Sequence, residues 1–164
     1  MKLAVGADER IYVVEEVLKY LEAEGHQVTY YGPPVGESYT TPETYWPAVA
    51  RRVAEAVVSG AADEGILFCW TGTGVSIAAN KVPGIRAALC VDAETARGAR
   101  LWNNANVLCL SLRLTSWPVA KEILTTWFQT RYQPNPTDDA CLAQITELEA
   151  RQTPTAPSAG NDLT

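Results

Sequence analysis

One histidine, His26, serves the whole chain, and the four cysteines, Cys69, Cys90, Cys109 and Cys141, stand apart from one another. With no CxxC pair and no Cys/His cluster at ligand spacing, a zinc site of the usual kind is excluded and no metal or other cofactor is expected. No lysine/arginine stripe runs along the chain and its net charge is −6, so nucleic acid is not an expected partner. No apolar stretch approaches a membrane span, and Met1-Lys2-Leu3-Ala4-Val5 enters a strand pattern at once. The expectation is a cytoplasmic protein with no signal peptide and no membrane association. Scattered cysteines fit a reducing compartment, and Cys90, Cys109 and Cys141 read as plain core residues.

What is present is ordinary for a globular domain: 164 residues, 47% apolar and 20% charged, enough for one core. Residues 1–151 read as a single domain. Residues 152–164, rich in Pro, Ser, Thr and Gly, read as a disordered tail. Short apolar runs mark strands at Leu3–Val5, Val28–Tyr31, Ile66–Phe68, Arg86–Val91 and Asn106–Leu110. Helical spacing separates them. Val13, Val14, Val17, Leu18 and Leu21 share one face, closed by Gly25. Ala50, Val53, Ala54 and Val57 follow Pro47, a residue suited to a first turn. Ser76–Lys81, Ala93–Leu101, a segment around Ala120–Trp127, and a last one with Leu142, Ile145 and Leu148 on one face complete the series. His26 follows a helix-ending turn and reads as solvent-exposed. The alternation predicts an α/β protein: a parallel sheet covered by helices on both faces, with ligands beyond the carboxyl ends of the strands.

At that edge the densest chemistry is Cys69-Trp70-Thr71-Gly72-Thr73-Gly74. A strand delivers a thiol, two glycines permit a tight turn, and a small-residue helix follows. Such a turn aims backbone N–H groups at an anion and lowers a thiol's pKa. The stretch lacks the GK[ST] ending of a phosphate-binding P-loop and the spacing of a dinucleotide fingerprint. A buried structural thiol on a strand-to-helix turn explains the same letters. Asp8, after the first strand, is a hydroxyl acceptor or a helix cap. Asn103, Asn104 and Asn106 offer oxyanion donors or turn residues, and Arg113 a phosphate fork or a surface ion pair.

Cys69 to Leu89, with Ser-Ile-Ala-Ala-Asn-Lys-Val and Gly-Ile-Arg-Ala-Ala-Leu, resembles the ribose-5-phosphate isomerase B and galactose-6-phosphate isomerase family. Gly6-Ala7-Asp8, Asn106-Val107-Leu108 and Arg113 match as well. The resemblance implies a Rossmann-like three-layer sandwich with a five-stranded parallel sheet. It implies a homodimer, possibly paired into a tetramer, with active sites at the subunit interface, and a small carbohydrate substrate. The activity implied is an aldose–ketose interconversion of a sugar phosphate through an enediolate. Cys69 is then the base, the N–H groups of Thr71 to Gly74 and the Asn103 amide hold the oxyanion, and Asp8 binds sugar hydroxyls.

The departures from the family pattern gather at the site. Glu9 replaces a histidine, Trp46 a tyrosine, Trp70 a glycine and Trp102 the histidine used for ring opening. The segment Gln133–Asp139 lacks the basic residues that reach the partner's phosphate, and Arg131 precedes it. The candidate site is therefore Cys69, Thr71 and Asn103 for chemistry. Asp8, Glu9, Trp46, Trp70, Gly72, Thr73, Gly74, Trp102 and Arg113 are nominated for substrate. The substrate is expected to differ from ribose 5-phosphate, and a non-catalytic carbohydrate- or anion-binding protein is the alternative.

Overall fold

A computed structural model describes residues 1–152. Five strands form one parallel sheet: β1 (Lys2–Ala7), β2 (Gln27–Tyr31), β3 (Glu64–Cys69), β4 (Ala87–Leu89) and β5 (Val107–Ser111), in the order β2-β1-β3-β5-β4. Between them run α1 (Tyr12–Ala23), α2 (Trp46–Val58), α3 (Thr73–Ala79) and α4 (Ala93–Asn103), and α5 (Trp117–Gln129) follows β5. The side chains of α1, α4 and α5 form the core on one face of the sheet, and those of α2 and α3 form it on the other. This is the expected Rossmann-like three-layer α/β sandwich. Two compact units are present: Met1–Gln133, which holds all of these elements, and the segment from Pro134 on, which holds α6 (Pro136–Gln152). Apart from Gln152, the expected tail lies outside the described residues.

Burial explains the strand patterns. β3 is central, and all six of its residues are buried. A parallel strand covered on both faces reads as a continuous apolar run rather than an alternation. Gly6 and Gly65 let α2 lie close on the sheet. A Cβ at Gly6 would sit 2.6 Å from Val49 Cγ1, and one at Gly65 2.7 Å from Val53 Cγ1. α1 ends as its sequence indicates, with Gly25 at φ +81° and His26 N–H donating to the Leu21 carbonyl at 3.0 Å.

The expectations need four corrections. α3 starts at Thr73 rather than Ser76, because Gly72 already adopts the left-handed conformation (φ 75°) that launches the helix. Trp102 and Asn103 are the last residues of α4, not part of a loop, and Asn104 (φ 44°) ends that helix. His26 is half-buried: its ring stacks on Phe128 at 4.9 Å, and burial lowers its pKa. Cys141 is exposed rather than core, as are Ile145 and Leu148 on the apolar face of α6.

At the foot of the sheet, Glu64 and Arg100 are 7% and 6% exposed. Arg100 Nη2 donates to Glu64 Oε1 at 2.6 Å and Trp127 Nε1 donates to Glu64 Oε2 at 2.6 Å. Arg100 also donates to the Ala105 carbonyl, and its guanidinium lies 4.8 Å from the centroid of Trp127. This network fixes the end of α4 to β3 and α5.

Candidate active site

The chain turns opposite ways from β1 and β3, to β2 on one side and to β5 and β4 on the other. Beyond their carboxyl ends lies the place where such sheets bind ligands. There Asp8 and Glu9 face Tyr39, Tyr45 and Trp46, with Pro47 and Trp70, across a cleft of about 890 Å³. The register pairs Ala7 with Phe68, so the next residues, Asp8 and Cys69, emerge side by side from adjacent strands.

Asp8 is 4% exposed, and its Oδ1 is buried with no hydrogen-bond partner. Burial pushes its pKa up to about 6, and the charge of Glu9 adds to the rise. Arg10, next in sequence, does not neutralise it. Its guanidinium pairs with Glu15 and stacks 4.6 Å from the centroid of Tyr30.

Cys69 ends β3 and is 5% exposed. Its carbonyl accepts from Gly72 N–H at 3.1 Å and Leu112 N–H at 3.0 Å, which ties the turn to the end of β5. Trp70 O accepts from Arg113 N–H at 3.0 Å and from Ser111 Oγ at 2.9 Å. Arg113 therefore leaves β5 on the same edge as the thiol. Gly72 is required twice over: it adopts φ +75°, and a Cβ there would lie 2.5 Å from Leu89 Cδ1. With the turn so closed, the N–H groups of Thr73 and Gly74 form the open first turn of α3, whose donors have no partner within the helix. Thr71 and Thr73 join their hydroxyls at 2.6 Å on the exposed rim. Trp46 rests on this turn, its ring 3.1 Å from where a Gly74 Cβ would sit.

Two nominated residues are not part of this constellation within one chain. α4 runs back along the sheet, so Trp102 and Asn103 lie at its opposite edge, just before β5. Asn106 O accepts from Gly65 N–H at 3.0 Å, at the foot of β3. From Gly65 to Cys69 the strand climbs about 13 Å at roughly 3.3 Å per residue. Trp102 folds onto its own helix, where a Cβ at Gly98 would meet its ring at 2.7 Å. Of the other amides, Asn106 Oδ1 accepts from Arg86 N–H at 2.8 Å and its Nδ2 donates to Gly84 O at 2.9 Å, a structural role. Arg131 donates to the Phe128 and Thr130 carbonyls at the end of α5.

Tyr39 and Tyr45 belong to the cleft, although their segment reads in sequence only as a turn-rich loop. An antiparallel bridge from Glu9 to Ser38 draws it over the site, with Arg10 N–H donating to Glu37 O at 3.1 Å. The aromatic content of residues 39–46 is the one local signal of this. Two of the other thiols are poor candidates for chemistry. Burial pushes Cys90 up to about 12 and Cys109 well above its ordinary value. Among the described residues no group of three or more His, Cys, Asp or Glu side chains is placed to hold a metal, and no helix is long and apolar enough to cross a membrane.

A thiol and a buried carboxylate stand side by side at the switch point of a parallel sheet, backed by a glycine turn, where α/β folds bind their ligands. Residues 3–145 match the ribose/galactose isomerase family. Galactose-6-phosphate isomerase subunit LacB of Clostridium acetobutylicum is 35% identical over 149 residues, covering 90% of this chain and 83% of that one. D-erythrulose-4-phosphate isomerase of Pectobacterium atrosepticum is 39% identical over 135 residues, 81% of this chain and 86% of that one. The structure of ribose-5-phosphate isomerase B from Clostridium thermocellum superposes with a TM-score of 0.86 at 38% identity, covering 93% of this chain and 100% of that one. The chain belongs to the ribose/galactose isomerase family and is an isomerase of the aldose–ketose type.

Proposed function

We propose that this enzyme interconverts the aldose and ketose forms of a sugar phosphate by moving one proton between C1 and C2, with Cys69 as the base. The observation that carries the reading is the emergence of Cys69 and the buried Asp8, whose Oδ1 has no hydrogen-bond partner, from adjacent strands beside the Gly72 turn. Ionised Asp8 accepts the anomeric hydroxyl's proton and returns it to the ring oxygen, which opens the sugar. This role replaces the ring-opening histidine whose position Trp102 occupies. The Cys69 thiolate takes the proton from the carbon beside the carbonyl. The enediolate oxygen is met by the N–H groups of Thr73 and Gly74 and by the Thr71 hydroxyl, donors fixed before charge develops. The Thr71 hydroxyl relays the proton of the C2 oxygen to the C1 oxygen, and Cys69 delivers its own proton to C1, which leaves the carbonyl at C2. Arg113, on the same edge, supplies the charge for a phosphate. Every step is assigned to groups of the protein itself.

We further propose a homodimer in which a second copy brings Asn103 and Trp102 to the Cys69 edge, since one chain holds them at opposite ends of the sheet. The exposed apolar face of α6, with Ile145 and Leu148 uncovered, supports a self-associating chain. Because relatives are named for ribose, galactose and erythrulose phosphates, the test of substrate is a panel of four-, five- and six-carbon sugar phosphates in deuterium oxide. The productive member acquires deuterium at C1 or C2, and Cys69→Ser abolishes the exchange. Exchange at full rate in that variant would remove Cys69 from the mechanism. The shared site has its own test. Mixing Cys69→Ser with Asn103→Ala subunits leaves heterodimers with one intact site each, so about a quarter of wild-type activity returns by statistical exchange. No recovery on mixing would mean that Asn103 does not act across the interface, and full activity of Asn103→Ala alone would place it outside the site.

A further inference from the structure

On the face of the sheet away from the thiol, the starts of two helices converge. Cys69 packs into the α2 and α3 side of the core, whereas Val13 and Leu112 belong to the α1, α4 and α5 side. There a groove of about 450 Å³ opens between the first turns of α1 (Ile11 to Val13) and α5 (Ser116 to Pro118), with Leu112 and Thr115 also in its wall. It shares no described lining residue with the cleft over Asp8. Each helix starts with N–H groups that have no partner within it: those of Tyr12 and Val13 in α1, and of Trp117 and Val119 in α5. Neither start is capped by a side chain. Ile11 has no group to offer, and the Ser116 hydroxyl, of a kind that commonly caps, makes no such bond. Two positive helix ends therefore meet at one groove. Little negative charge offsets them. α5 has no acidic residue in its first turn, and Glu15 of α1 is engaged by Arg10.

Thr115 points to a ligand independently of the helix ends. It is 6% exposed, and what is exposed of it lines the groove. Its N–H donates to Ser111 O at 3.0 Å, while its hydroxyl has no hydrogen-bond partner among the described residues. Native structures rarely leave such a group unpaired. Helix-start N–H groups with hydroxyls beside them hold phosphate oxygens. The remaining walls, Ile11, Leu112, Trp117 and Pro118, are apolar, and the volume falls within the roughly 300–1,000 Å³ of small-molecule sites.

We propose that this groove binds a phosphomonoester with an apolar or aromatic body, at a site separate from the one that holds the sugar phosphate. Its occupant is an effector, not a substrate. The link to the chemistry is short: Leu112 N–H donates to Cys69 O at 3.0 Å, and Ile11 follows Asp8 along the same loop. A molecule seated on Leu112 and Ile11 bears on both strand ends that carry the catalytic groups.

The test is calorimetric titration of the intact enzyme with phenyl phosphate, and with inorganic phosphate and phenol as its separate halves. Phenyl phosphate binds roughly tenfold more tightly than either half. It stays bound at saturating productive sugar phosphate, and it changes kcat by about twofold or more with KM unmoved. Ser116→Asp gives α5 a strong cap and sets a carboxylate where the anion would lie. It keeps the thermal midpoint and weakens phenyl phosphate by roughly tenfold or more. Thr115→Val keeps the side chain's shape, removes its hydroxyl and weakens binding as well, and Thr115→Ser restores it. The proposal is overturned if wild type does not bind phenyl phosphate, if the sugar phosphate displaces it, or if kcat is unchanged at saturation. It is equally overturned if Ser116→Asp and Thr115→Val, both natively folded by circular dichroism, bind phenyl phosphate as wild type does.

Discussion

Two carboxylates are buried in this sheet, at opposite ends of its central strands, and they are treated differently. Glu64, at the foot, is 7% exposed and has both oxygens paired at 2.6 Å, one to Arg100 and one to Trp127. Asp8, at the carboxyl edge, is 4% exposed and leaves Oδ1 without a partner. Leaving a buried acceptor unpaired costs the desolvation of that group, and native structures rarely do so. The foot satisfies its polar groups and holds α4 and α5 in place. The edge leaves Asp8 Oδ1 unsatisfied. Burial alone therefore does not separate these two carboxylates, whereas the pairing of their oxygens does.

The comparison makes opposed predictions for the two ends. At the edge, Cys69→Ser changes little in shape and removes the base. Turnover should fall by roughly 100- to 10,000-fold, with the thermal midpoint within a degree or two of wild type. A steady-state assay paired with a melting curve decides this, and a comparable loss of stability would mean the thiol is structural. At the foot, Glu64→Ala strands the Arg100 guanidinium in the core and should cost about 3–5 kcal/mol, measured by urea unfolding. The double variant Glu64→Met with Arg100→Met should recover most of that loss, since apolar replacement of a buried pair is often neutral or better. No recovery would show that the pair contributes more than mutual compensation.

The β/α alternation and most element boundaries were readable from the chain because parallel strands and amphipathic helices leave distinct periods. The edge positions were readable as well, since Asp8 follows directly on β1, Cys69 ends β3 and Gly72 lies in the turn that leaves it. The Glu64–Arg100 pair was not, because 36 residues separate its members and no local pattern links a strand's first residue to a helix's last turn. The insertion of β5 between β3 and β4 is equally silent in sequence, since both neighbours carry similar apolar runs. Asn103 was assigned a role without a location. A family motif states which residue acts but not that α4 carries it to the far edge of its own sheet. For α6, periodicity identified an apolar face and could not say what covers it. Ile145 and Leu148 are exposed.

The smallest effect is the sharpest test of the contrast, because its sign is unusual. Asp8 has a pKa near 6 when folded and about 3.9 when unfolded. The folded state therefore holds more protons than the unfolded state between those values, and stability falls as pH rises through that window. Above about pH 7 the whole penalty is present, and below about pH 3 it is gone. Asp8→Asn removes the titration. It should stabilise the free enzyme by about 1–3 kcal/mol at pH 8, less whatever its own buried amide costs, and by nothing at pH 3. Thermal melts across that range measure the difference. The same variant should abolish ring opening, and in wild type the ionisation should give kcat/KM an acid limb near pH 6. A destabilised Asp8→Asn at pH 8 would mean that Asp8, like Glu64, already has its partners, and the proposed division of labour between edge and foot would fail.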